Sequence, residues 1–203
     1  MATLLTTEEI KTAKEWIAES PTLEGFVPGE GSLTPRFVLV SEAPGATEAA
    51  VGHPFQGPAG ATLDDWLAKI GVTRDELYLT GAVRARPFSE TNGRKRDRKP
   101  TSAEIAQFAP LLDHELAALT GRLLVPLGNT GLQRLLGNKL KISQVHGQLL
   151  KSPIMEWHPA TKRFQPGKTT YSILPLFHPS YIRRFPGKQE LVAADLAMLQ
   201  SIM

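Results

Sequence analysis

Cysteine is absent from this chain of 203 residues. That absence excludes disulfides, thiol nucleophiles, zinc knuckles and cysteine-ligated iron–sulfur clusters together. No apolar run approaches the ~20 residues that span a bilayer, and the start, MATLLTTEEI, has neither a basic region nor a small-residue cleavage site. A soluble, cytoplasmic protein with no membrane association is therefore expected, nucleoid-associated if bacterial. The five histidines show no HxH or HxxxH spacing, so neither a metal nor any other cofactor is expected. Gly167-Lys168-Thr169 imitates the tail of a phosphate-binding loop, but Lys162 stands where that pattern needs glycine.

What the chain does have is an uneven charge. Residues 1–60 carry three basic against eight acidic side chains, although the whole chain is +3. The excess is densest from Arg84 to Lys99, where seven Arg and Lys stand against Glu90 and Asp97. Such a patch suits a polyanion such as nucleic acid; a solvated surface loop accounts for the same charges. The length suits one domain over 1–203, with 1–35 as an amino-terminal helix and loop. It is expected to be monomeric.

Thr6 and Glu9 have capping-box spacing and open a helix that ends before Pro21; Thr101 and Glu104 open a second, with Ile105, Phe108, Leu111, Leu112 and Leu116 on its apolar side. Leu63, Trp66, Leu67 and Ile70 mark another, stopped by Gly71; Asn129 is placed to cap a short helix to Leu136, and Glu190–Ile202 reads as a terminal helix. Between them lie four continuous apolar runs, Phe37–Val40, Leu77–Val83, Leu123–Leu127 and Tyr171–Phe177. Unbroken runs of strand length are typical of strands buried on both faces. The predicted fold is α/β, three layers with a central four-stranded, mainly parallel sheet. An insertion at 151–170 precedes the last strand and either extends a binding face or forms a hairpin.

Ligands of open α/β sheets bind beyond the carboxyl ends of the strands. Those ends carry Ser41-Glu42-Ala43-Pro44-Gly45, Arg84-Ala85-Arg86-Pro87, Gly128-Asn129 and His178-Pro179-Ser180-Tyr181. From Ser41 to Gly60 there are four glycines and three prolines. Glycine lets backbone approach a ligand, proline fixes the approach, and Phe55 offers a flat face, as a planar base requires. A tight structural loop plugged by Phe55 is the alternative.

These segments resemble the uracil-DNA glycosylase superfamily, most closely its family 4 branch. The Gly-Glu-Ala-Pro-Gly motif is matched by Ser41–Gly45 and Gly-x-Pro-Phe-x-Gly-x-Ala-Gly by Gly52–Gly60. Cys-Arg-Pro corresponds to Ala85-Arg86-Pro87, and Asn-Arg-x-Pro-Thr-x-x-Glu-Ile to Asp97–Ile105. Leu127-Gly128, His146-Gly147 (for Arg-Gly) and His178–Arg184 (for His-Pro-Ser-Tyr-x-x-Arg) complete seven matches in order.

The resemblance implies an enzyme that flips a deaminated base, uracil by default with hypoxanthine or xanthine as alternatives, out of DNA and hydrolyses its N-glycosidic bond to leave an abasic site. Phe55 would stack on the base, with Ala43, Pro44 and Gly45 against its edge and sugar. His178 would donate to the departing base, and Glu42 and Glu48 are the candidates for positioning water, Glu48 alternatively holding the loop. Tyr181, Ile182 and Arg183 would wedge into the minor groove, while Arg86, Arg98, Ser180 and Arg184 hold phosphates. Three departures stand out. The branch's four cluster-ligating cysteines are missing, Ala85 and Phe108 occupying two of their positions, and apolar packing of Phe108 is the expected substitute. Gly81 replaces an asparagine that reads the uracil edge, and Ser41 replaces the motif's first glycine. Gly81 favours a second reading, a glycosylase-fold DNA-binding or lesion-sensing protein with little catalysis. Hydrolysis of a free nucleoside is a third reading, but it needs neither the wedge nor the basic run.

Overall fold

A computed structural model describes all 203 residues. The first helix, α1 (Thr7–Ala18), starts on the expected capping box, the Thr6 hydroxyl accepting from Glu9 N–H while the Glu9 carboxylate accepts from Thr6 N–H. Strands β1 (Leu23–Phe26), β2 (Glu30–Gly31) and β3 (Phe37–Ser41) follow, then α2 (Ala46–Val51) and α3 (Pro58–Lys69). A 3-10 turn at Arg74–Glu76 leads into β4 (Tyr78–Gly81), and β5 (Ala85–Thr91) and β6 (Arg94–Asp97) form a hairpin. Next come α4 (Ser102–Ala118), β7 (Leu123–Pro126), α5 (Gly128–Leu136) and α6 (Ile142–Val145). The chain closes with β8 (Leu150–His158), β9 (Arg163–Ile173), α7 (Pro179–Arg184) and α8 (Gln189–Ile202).

The four apolar runs are the parallel centre of a larger sheet. It has six strands, in the order β2-β4-β3-β7-β9-β8, where four were expected. The two additions are antiparallel edges: β2 pairs with β4, and the 151–170 insertion is a β8–β9 hairpin. A second sheet, β1-β5-β6, takes up segments read as loops.

Side chains alternate across the central strands. Phe37, Leu39, Leu79 and Val125 pack with α3 and α8 on one face; Val38, Val40, Tyr78 and Leu124 pack with α4 on the other. This gives the expected three layers. Asn129 does not cap α5: Leu127 is the N-cap residue, and the Asn129 side-chain carbonyl accepts from Ile142 N–H at 2.8 Å instead. No helix is long and apolar enough to cross a membrane.

Candidate active site

A cleft of about 1000 Å³ opens beyond the carboxyl ends of β3, β4 and β7. Its walls are the Ser41–Glu48 segment, Phe55, Gly81, Gly128–Thr130 and the start of α7. Three of the four strand-end segments thus converge; of the fourth only Arg84 reaches the cleft, and Ala85-Arg86-Pro87 does not line it.

His178 is the N-cap residue of α7, and its Nδ1 accepts from Ser180 N–H at 3.2 Å with Ser180 Oγ at 2.8 Å. A backbone N–H can only donate, so the ring's own proton sits on Nε2. Nε2 has no partner within the protein and is not enclosed, so it opens to the cleft as a donor. Burial, and then the positive charge of Arg184, push the His178 pKa down from 6.5 to about 4. The imidazole is therefore neutral at pH 7. Gly128 makes room for it, since a Cβ there would lie 3.1 Å from His178 Cβ.

Phe55 lies beside the histidine, ring centroids 6.2 Å apart and tilted by 26°. Its backbone is held in the left-handed region, φ 54°, which is costly for a bulky side chain. Arg74 maintains it: Nη1 donates to Pro54 O at 3.3 Å and Nη2 to Phe55 O at 2.7 Å, while the guanidinium is paired with Asp64. Gly60 is required in the same turn, because a Cβ there would come 1.9 Å from Phe55 O.

The two candidate carboxylates separate. Glu42 accepts a hydrogen bond from the Thr130 hydroxyl through Oε2, and its other oxygen has no protein partner in the cleft. Glu48 instead spans two loops, Oε2 accepting from Gly45 N–H at 3.1 Å and Oε1 from Gly57 N–H at 2.7 Å. It shapes the Ala43-Pro44-Gly45 turn against the Phe55 loop, which is the loop-holding alternative, achieved through backbone amides rather than a salt bridge.

Beneath the cleft floor, Glu115 of α4 is fully buried and receives Arg84, Thr80 and Tyr78. Burial and the adjacent carboxylate push the Tyr78 hydroxyl up, so it remains a donor. Arg84 Nη1 also donates to Gly81 O at 2.7 Å, pinning the strand end that faces the cleft.

Several expected DNA contacts are placed differently. Arg86 is paired with Glu24 and Asp97, both at 2.6 Å, and does not line the cleft. Arg98 reaches the cleft edge, but its guanidinium is bidentate to Glu104 at 2.6 and 2.8 Å and also bonds Thr22 and Phe88. Both are structural ties that a phosphate would have to break. Ile182 is 4% exposed and packs in the core with Phe55 and Phe177, so it is no wedge. Tyr181, half-buried, stacks between Phe177 at 5.4 Å and Phe185 at 4.7 Å. Arg183 and Arg184 are exposed on the cleft rim without carboxylate partners.

A family model described as Uracil DNA glycosylase superfamily matches residues 28–200. The chain belongs to the uracil DNA glycosylase superfamily. Among its relatives, the Type-4 uracil-DNA glycosylase of Thermotoga maritima is 33% identical over 180 residues, 87% of this chain and 82% of that protein. Those of Pyrobaculum aerophilum and Archaeoglobus fulgidus are 29% identical over 176 residues (85% and 80% of the two chains) and 28% over 178 (86% and 80%).

Within this superfamily fold, the residues present do not fit the iron–sulfur cluster that the family 4 resemblance implies. There is no thiolate, and Ala85 and Phe108 sit in one apolar cluster with Leu5, Ala13, Leu23 and Leu111, Trp16 meeting Phe108 edge-on at 5.6 Å. Sequence reasoning missed Arg74, Thr130 and Glu115. Only Glu115 left a signal, a carboxylate on the apolar stripe of α4 between Leu112 and Leu116.

Proposed function

We propose that this chain is a monofunctional DNA repair glycosylase that flips a deaminated base, uracil by default, into the cleft and hydrolyses its N-glycosidic bond. The observation that carries this reading is the neutral His178, its Nε2–H directed at the cleft beside Phe55. Phe55 would stack on the extruded base while Nε2–H donates to the carbonyl oxygen on which negative charge grows as the bond to C1′ breaks. A neutral donor suits this step, since it stabilises the base anion without surrendering a proton. Glu42, oriented by Thr130, would stabilise the cationic sugar and hold water against C1′. That water supplies the new hydroxyl, and its proton ends on the departing base or in solvent. Arg183 and Arg184 would meet phosphates at the rim, and Tyr181 would brace their loop.

The test is single-turnover excision, with protein in excess over duplexes carrying one uracil, followed by alkaline cleavage of abasic sites. Excision is expected, with His178→Ala slower by at least ~10²-fold. Absence of cleavage would sink the reading. Gly81, which supplies no side chain to read a base, is the observation that favours a second reading, a lesion-binding protein without catalysis. That reading predicts preferential binding to damaged duplex with no product.

A further inference from the structure

Ser41 ends β3 and Gly81 ends β4, and the two are register partners in this parallel pair. Alternation assigns their faces. On β3, Phe37 and Leu39 belong to the cluster that contains Phe55 and Phe177, and Val38 and Val40 to the opposite one, so Ser41 faces the Phe55 layer. On β4, Leu79 belongs to the Phe55 cluster while the Tyr78 and Thr80 hydroxyls turn away to Glu115. Gly81 therefore meets the cleft floor beside Ser41, and both line it.

The pair has an unusual division of labour. A Cβ at Gly81 would approach nothing closer than Ser41 O at 3.5 Å and Glu42 O and Val83 O at 3.6 Å, so a side chain would fit and its place is a recess. Ser41 is only 8% exposed, yet its hydroxyl has no partner within the protein and is not enclosed. A nearly buried hydroxyl open only towards a cleft points to a ligand.

We propose that Ser41 Oγ reads the outer edge of the flipped base and that the recess at Gly81 admits a second ring, so the substrate class spans deaminated pyrimidines and deaminated purines. This rests on the glycosylase reading above. Both kinds of base present a carbonyl beside a ring N–H. A rotating hydroxyl donates to the first or accepts from the second, whereas a fixed amide in the recess would occupy the space of the second ring.

The experiment compares wild type, Ser41→Ala and Gly81→Asn on duplexes bearing uracil or hypoxanthine. Single-turnover excision is measured, together with equilibrium binding to the same sequences carrying non-cleavable 2′-fluoro analogues and to undamaged duplex. Wild type is expected to excise both bases. Ser41→Ala should lose roughly tenfold on each, the usual worth of one neutral hydrogen bond, and bind both analogues correspondingly less well, with affinity for undamaged duplex unchanged. Gly81→Asn should lower the ratio of hypoxanthine to uracil excision at least tenfold, and an unchanged ratio overturns the recess as the seat of the second ring. Wild type that excises uracil but not hypoxanthine, or Ser41→Ala within twofold of wild type in excision and analogue binding, overturns the proposal and leaves the glycosylase reading standing. If wild type excises neither base, the glycosylase reading fails; analogue binding that depends on Ser41 then supports base reading by this hydroxyl, and no preference for the analogues overturns both.

Discussion

Excision by the folded protein should persist as pH falls from 8 to about 5 and drop only on approach to pH 4. The perturbation is protonation of His178, whose Nδ1 must accept from Ser180 N–H and whose pKa is pushed from 6.5 to about 4, first by burial and then by Arg184. At pH 5.5 a histidine of pKa 4 is roughly 97% neutral and one of pKa 6.5 roughly 9% neutral, so the two cases differ about tenfold in rate. Stability runs in the opposite sense to a histidine that gains a charged partner. Because the folded pKa is lowered, the unfolded chain takes up the proton first, so the histidine's contribution is complete above pH 6.5 and is lost progressively between 6.5 and 4. The whole shift is worth at most ~3 kcal/mol. Single-turnover rates at saturating protein, normalised to the folded fraction from circular dichroism, separate the two effects. Arg184→Gln should raise the midpoint while leaving it below 6.5, because burial remains. A rate that halves near pH 6.5 in fully folded protein would refute the assignment of a buried, neutral donor.

Three stability predictions accompany it. Phe108→Ala should cost ~3–5 kcal/mol in urea unfolding, since it empties the apolar cluster beside Ala85 and Trp16; a cost below ~1 kcal/mol would show that this packing does not replace a cluster's support. Glu115→Ala should cost ~3–5 kcal/mol by leaving Arg84 charged and buried, whereas changing Glu115 and Arg84 together to Leu and Met should cost much less. Gly60→Ala must displace Phe55 O from 1.9 Å and should destabilise by ~1–3 kcal/mol. It should also slow excision by moving the Phe55 ring; full activity in that variant would remove Phe55 from the site.

The sheet's centre was legible because strands buried on both faces need unbroken apolar runs, as Phe37–Val40 and Leu123–Val125 show. The edges were not. β5 and β6 are a charged hairpin, and its turn signal, Asn92-Gly93 with φ 52° and 73°, sits inside the basic run that drew the eye. The partners of those arginines also lie far off in sequence: Glu24 is 62 residues from Arg86. Local charge counting sees the cation and not the carboxylate that occupies it. The loop-holding role of Glu48 was hidden for a related reason, since its hydrogen bonds to Gly45 and Gly57 close a loop whose path the sequence does not state.

Once those pairs are subtracted, the positive excess has a different address. Four of the seven cations in the densest basic stretch are paired, mostly with carboxylates elsewhere in the chain: Arg84 with Glu115, Arg86 with Glu24 and Asp97, Lys95 with Glu24, Arg98 with Glu104, which leaves Arg94, Arg96 and Lys99. Lys162 and Arg163 sit at the tip of the β8–β9 hairpin, ten residues up the strand from Ile173, about 33 Å of extended chain. What remains unpaired and exposed among the cleft-lining cations is Lys99, Arg183 and Arg184. Arg184 is also the cation that depresses the His178 pKa. On the glycosylase reading, a phosphate docked on Arg184 would offset that repulsion, so the side chain proposed to meet the backbone would also adjust the donor proposed to lie beneath the base, joining phosphate contact to the electrostatics of bond cleavage.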